Sequence, residues 1–134
     1  MDDMILTLVL LAGLQVKHLL ADFVLQTSFM LAGKGRYGHI GGLSHAALHG
    51  VLSLPILLLA AGVFAGPSLG LVLLIVLVEV LVHYHLDWAK ERWVRHHAVT
   101  AAQPGFWRAI GIDQSLHQLT YLMMVAAMLS GSAD

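Results

Sequence analysis

Four long apolar stretches alternate along the chain with short runs of glycine, proline and charge. The first covers roughly residues 4–26 and stops ahead of Gly33, Gly35, Gly38 and the adjacent Gly41 and Gly42. The second, roughly 43–61, ends at a turn marked by Gly62, Gly66 and Pro67. The third covers roughly 69–88, and a polar stretch from Lys90 to Arg108, with Pro104 and Gly105, separates it from the fourth at roughly 112–129. Each is close to the ~20 residues a helix needs to cross a hydrocarbon core about 30 Å thick. The pattern predicts an all-α fold: an integral membrane four-helix bundle in which residues 1–134 form a single transmembrane domain.

Composition strengthens this picture. The 134 residues are 58% hydrophobic and 11% charged, whereas soluble domains run near 45–50% and about 25%. A water-soluble surface needs more charge than this chain carries. The formal net charge of −1 gives no electrostatic footprint for a nucleic-acid partner. Cysteine is absent, which removes disulfides, thiolate ligands and cysteine nucleophiles together. The start, Met1-Asp2-Asp3-Met4, lacks the basic region of a secretory signal, so the first apolar segment is expected to be retained.

The seven basic residues predict an orientation. Lys34 and Arg36 lie between spans one and two, and Lys90, Arg92, Arg95 and Arg108 between spans three and four. The turn at 62–70 and both ends have none, and only Lys17 sits inside a span. By the positive-inside rule both basic loops face the cytoplasm and both termini lie on the outer side.

Ionisable groups inside a span are costly and usually functional. Here they recur at one spacing. Span one carries His18 and Asp22, with Gln26 a turn later; span two carries His45 and His49. Span three carries His83 and Asp87, with Glu79 a turn earlier, and span four carries Asp113 and His117, with Gln114 beside them. Each pair is i, i+4, so both side chains share one helix face. Five imidazoles and three carboxylates suit a divalent transition metal, zinc first, with iron or manganese as alternatives. Facing helices that each project ligands inward are a known way to build a site for one or two ions.

Depth points the same way. In spans one and three the pairs lie near the C-terminal end, and in spans two and four near the N-terminal end. With alternating direction, all four pairs fall in one layer near the cytoplasmic face. The competing reading is a buried polar network without metal, such as a proton relay. His39, His96 and His97 fall in polar loops, and His85 points about 200° away from His83. Trp88 and Trp93 read as interfacial anchors.

In order, His18-Leu-Leu-Ala-Asp22-Phe-Val-Leu-Gln26, His45 to His49, His83-Tyr-His-Leu-Asp87-Trp-Ala-Lys90 and Asp113-Gln114-Ser-Leu-His117 resemble a family of bacterial inner-membrane proteins of unknown function, DUF3307. The likeness covers nearly the whole chain. It implies a multi-pass helical protein of the inner (cytoplasmic) membrane and brings no assigned reaction. A looser similarity is to membrane-bound metal-dependent hydrolases, which also set His and Asp on membrane helices.

The leading functional expectation is a metal-dependent hydrolase acting on an anionic, phosphorylated or lipid substrate at the cytoplasmic leaflet. In that reading the metal ligands are His18, Asp22, His45, His49, His83, Asp87, Asp113 and His117. Glu79 and Lys90 are the catalytic candidates, while Gln26, Gln114 and Lys17 support the ligands or hold substrate. A metal-ion carrier or sensor is the alternative, although 5–14, 52–61 and 69–78 are nearly all apolar and offer ions no outer path. A diiron-type oxidoreductase is third, because the ligand set is richer in imidazole than soluble diiron bundles. Expected partners are membrane lipid and, as a homo-oligomer, further copies of the chain.

Overall fold

The computed structural model describes residues 3–64 and 66–131. Among these the chain is all-helical, without a strand. Helix α1 spans Asp3–Leu19 and runs on into a π-helical segment at Leu20–Val24. Then come α2 at Ser28–Lys34, α3 at Ile40–Phe64, α4 at Leu69–His96 and α5 at Pro104–Ser130. Three stretches are long and apolar enough to cross a membrane: Met4–Val24, Ile40–Val63 and Leu69–His96, with mean hydropathy 1.8, 2.0 and 2.2. The 27-residue α5 has the length but is not among them. Asp113, Gln114, His117 and Gln118 in its first half lower its hydropathy.

The helices overrun the expected spans for local reasons. α4 continues two turns past Trp88, through residues expected in a loop, and Arg95 Nε donates to Glu91 Oε1 at 3.0 Å across one of those turns. α5 starts at Pro104, which fits a first helical turn because its missing N–H would have no partner there. α2 was not expected at all. Thr27 Oγ1 accepts from the Met30 N–H at 3.3 Å and caps it. Of the glycines that suggested a loop, Gly35 and Gly38 do lie in a turn, Gly38 at φ 75°, while Gly33 and Gly41 serve packing. A Cβ on Gly33 would lie 2.7 Å from Gly42 N and 2.9 Å from Gly41 Cα, so α2 rests backbone against backbone on the start of α3.

α3 packs against α1, α2 and α4, and α5 closes the bundle against α4 and α1. The interior has two storeys. One is apolar: Leu10 and Leu14, Leu57 and Ala60, Val72 and Ile75, and Met124 to Met128 form a continuous cluster. The other is polar, and it continues the same three- and four-residue stripes along each helix, through Lys17 and His18, His45 and His49, His83 and Asp87, Asp113 and His117. Outside, the order expected in water is reversed, with Leu59, Met123 and Val51 at 73%, 71% and 67% exposure. At about 25 cal/mol per Å² of apolar surface such an exterior is unfavourable in water and neutral in lipid. This is the surface of a membrane protein.

Candidate metal centre

The polar storey assembles from four helices. In α1 the change to π-helical bonding, marked by Leu25 N–H donating to Leu20 O at 2.8 Å, falls around Asp22. Single π turns inside helices often occur at functional sites. Gln26 Nε2 donates back to the Asp22 carbonyl at 2.9 Å, holding the end of this segment. Asp22 Oδ2 then lies 3.2 Å from His18 Nε2, and its Oδ1 lies 3.0 Å from His45 Nε2 and 3.2 Å from His49 Nε2.

Asp87 on α4 mirrors Asp22. Its Oδ2 lies 3.2 Å from His45 Nε2 and 3.4 Å from His83 Nε2, and its Oδ1 lies 3.6 Å from His117 Nε2. Asp113 Oδ1 lies 3.5 Å from the same His117 nitrogen. The rings of His49 and His83 are 3.7 Å apart between centroids, and those of His83 and His117 are 4.2 Å apart. All eight residues expected as ligands therefore meet in one place.

Two subsets have the spacing of a coordination sphere. Asp22, His45, His49 and His83 offer ligand atoms within 4.8 Å of one another, and so do His83, Asp87 and His117. The two share His83. Ligands bound at about 2.0–2.2 Å to one ion are separated by about 3 to 3.5 Å, and the carboxylate–imidazole distances here, 3.0 to 3.6 Å, lie in or next to that range. Among the described residues, the buried Nε2 atoms of His45, His83 and His117 meet no aligned hydrogen-bond partner. An unsatisfied polar group costs several kcal/mol away from water, and each of these histidines belongs to at least one of the two subsets, where an ion would satisfy it. His18 and Asp113 stand outside both subsets. His18 is engaged at both nitrogens, with Tyr121 Oη 2.8 Å from Nδ1 and Gln114 Oε1 2.9 Å from Nε2.

Charge gives a second constraint. Glu79, Asp87 and Asp113 are buried and Asp22 nearly so. Among the described residues, two ammonium groups, those of Lys17 and Lys34, are buried with them. Four acidic side chains thus gather around two ammonium groups in a low-dielectric interior, an excess of oxygen donors that a divalent cation would accept. The donor set, the distances and the charge all fit such an ion.

Three contributors were not foreseen as such. Lys34 reads in the sequence as a loop charge, yet α2 carries it inward, with Nζ 2.8 Å from Asp87 Oδ2 and 3.9 Å from Asp22 Oδ1. Ser53 Oγ donates to Glu79 Oε1 at 3.0 Å, and Tyr121 bonds His18. The last two were within reach of the sequence: each lies four residues beyond a named histidine, His49 and His117, on the same stripe. Glu79 also binds Lys17, whose Nζ lies 3.2 Å from His49 Nδ1 and 4.7 Å from the centre of the Tyr121 ring. Lys90 lies apart from the cluster, 3.7 Å from Glu91 Oε2. His85 points away, as the helical angle requires, and bonds Tyr37 Oη at 3.1 Å.

The sequence matches a family model described as a protein of unknown function, DUF3307, over residues 5–133. No curated protein and no solved structure matches the chain.

Proposed function

The chain belongs to the DUF3307 family, whose function is unknown, and from that premise we propose a membrane-embedded metal-dependent hydrolase. In this reading all four long helices cross the bacterial inner membrane, both termini lie outside, and the centre sits near the cytoplasmic face. It takes one or two divalent ions, zinc first, and acts on an anionic substrate, phosphorylated or lipid, at that leaflet. The observation that carries the reading is the pair of ligand subsets joined at His83. Bound there, a divalent ion supplies Lewis acidity toward a phosphoryl or carbonyl oxygen and makes a water acidic near neutral pH.

The chain's own groups divide the remaining work. Lys34, against Asp87, offers its ammonium to developing negative charge. Glu79 acts through Lys17, which it holds against His49. In hydrolysis of a phosphate ester, water oxygen bonds to phosphorus and the bond from phosphorus to the leaving oxygen breaks. One water proton passes to a carboxylate, with Asp113 in that role, and Asp113 hands it on to the leaving oxygen.

A carrier fits less well, because the apolar storey from Leu10 to Met128 closes the bundle beyond the centre. A diiron oxidoreductase also fits less well, since the two subsets together hold four imidazoles and two carboxylates. A metal-free charge relay is favoured by the Lys17–Glu79 and Lys34–Asp87 pairs, but it leaves the buried Nε2 atoms of His45, His83 and His117 without an aligned partner. Metal analysis of protein purified in detergent without chelator tests the reading, with one or two transition-metal ions per chain expected. Absence of metal overturns the centre. A loaded protein that releases no product from phosphate esters or acyl lipids overturns hydrolysis.

A further inference from the structure

Beside the candidate ligand cluster, a concavity runs between α4 and α5. Leu86, Ala89, Lys90 and Trp93 form one wall at helical spacing, and Arg108, Ile112, Asp113 and Leu116 are on the other, enclosing about 560 Å³. The walls are mostly aliphatic, and Ile112 is 63% exposed. Two cations break the pattern. Among the described residues, Lys90 has one ion pair, the long 3.7 Å contact with Glu91, and Arg108 has none. Trp93 is an exposed aromatic at the same wall, of the kind that anchors at a headgroup layer. Asp113 belongs both to this groove and to the polar storey, where its Oδ1 faces His117. The groove therefore leads to the ligands.

We propose that this groove binds a phosphorylated lipid, with an acyl chain along Leu86, Ile112 and Leu116 and the phosphate between Lys90 and Arg108. The inference rests on the centre acting on an anionic substrate, and it names both the substrate class and the side chains that hold it. Charge complementarity selects the occupant. A neutral lipid uses the apolar walls but leaves two cations without a partner. A zwitterionic phosphodiester brings one negative charge already offset by its own ammonium, whereas a phosphate monoester brings up to two and satisfies both cations, Arg108 with its planar fork. A second copy of this chain would bring its own apolar exterior and no anion to the same place.

The test measures lipid retained by the full-length protein in native mass spectrometry, with dioleoyl phosphatidate and dioleoyl phosphatidylcholine supplied in equal amounts. Wild type is expected to keep one phosphatidate per chain at least tenfold in excess of phosphatidylcholine. Lys90→Gln with Arg108→Gln removes that preference, and Ile112→Trp, which fills the groove, reduces retention of both lipids. All three substitutions leave metal content at the wild-type level, which separates lost binding from misfolding and from failure of the metal centre. Equal retention of the two lipids by metal-loaded wild type overturns the groove alone, as does a preference that survives the double substitution. Crosslinks between copies through Ile112 and Leu116 also overturn it. A protein without metal that still selects phosphatidate overturns the hydrolase reading and supports the groove.

Discussion

Lys34 Nζ lies 2.8 Å from Asp87 Oδ2, both side chains nearly buried, and so ties the last residue of α2 to the middle of α4. A lysine buried in this position needs a partner for its amino group, and Asp87 is the nearest carboxylate. Removing one member of a buried pair costs about 3–5 kcal/mol because the other is left alone. Lys34→Ala and Asp87→Ala are each expected to lose stability on that scale. The double substitution should lose less than the sum, by more than the ~0.5 kcal/mol scatter of independent sites. Reversible unfolding in mixed detergent measures all three, and strict additivity would show that the two groups are not coupled.

His83 belongs to both ligand subsets, so no other single imidazole should matter as much. His83→Ala is expected to abolish stoichiometric metal, and His49→Ala or Asp22→Ala to weaken it. Lys17→Met removes a group behind His49, and supporting groups of this kind are worth about 10–100-fold in metal affinity. His97→Ala, in the exposed end of α4, should change nothing. The readout is metal per chain after dialysis against graded chelator. Equal retention by His83→Ala and His97→Ala would sink the assignment.

The convergence of the eight residues expected as ligands could be read from the sequence because it needs only the helical period and helices of alternating direction. His18 with Asp22 and Asp113 with His117 face inward for the same reason that Leu14 and Tyr121 do. Lys34 could not be read this way. Its burial depends on α2, a seven-residue helix too short for a periodic signal, and on glycine contacts between α2 and α3 that have no counterpart in hydropathy. The groove between α4 and α5 was hidden for a related reason. It needs α4 to run past Trp88 and α5 to begin at Pro104, and both segments had the composition of a loop.

The glycine contact makes its own prediction. A methyl group at Gly33 meets Gly42 N at 2.7 Å and Gly41 Cα at 2.9 Å, and backbone atoms cannot rotate aside as a side chain can. Gly33→Ala should therefore cost about 1–3 kcal/mol as overpacking and loosen the neighbouring Lys34–Asp87 pair. Gly111→Ala is the control, since nothing lies within 4 Å of its added carbon and alanine favours a helix by up to about 1 kcal/mol. Thermal unfolding of the two variants should move in opposite directions. A neutral Gly33→Ala would mean that α2 is not seated on α3 as closely as described.

The absence of cysteine allows the crossing pattern to be tested without background labelling. Gly66→Cys probes the turn between α3 and α4, Ala102→Cys the segment before α5, and Ser130→Cys the end of α5; all three positions are exposed. With the basic segments held in the cytoplasm, a membrane-impermeant maleimide applied to intact spheroplasts should label Gly66→Cys and spare Ala102→Cys. Ser130→Cys decides whether α5 crosses. Its first half is polar, but Asp113 and His117 are buried against α4, and its second half presents Leu119, Leu122 and Met123 outward, as a lipid-facing helix does. Labelling of Ser130→Cys in intact cells is therefore expected. If that position reacts only after lysis, together with Ala102→Cys, then α5 does not span the membrane and the four-crossing arrangement is wrong.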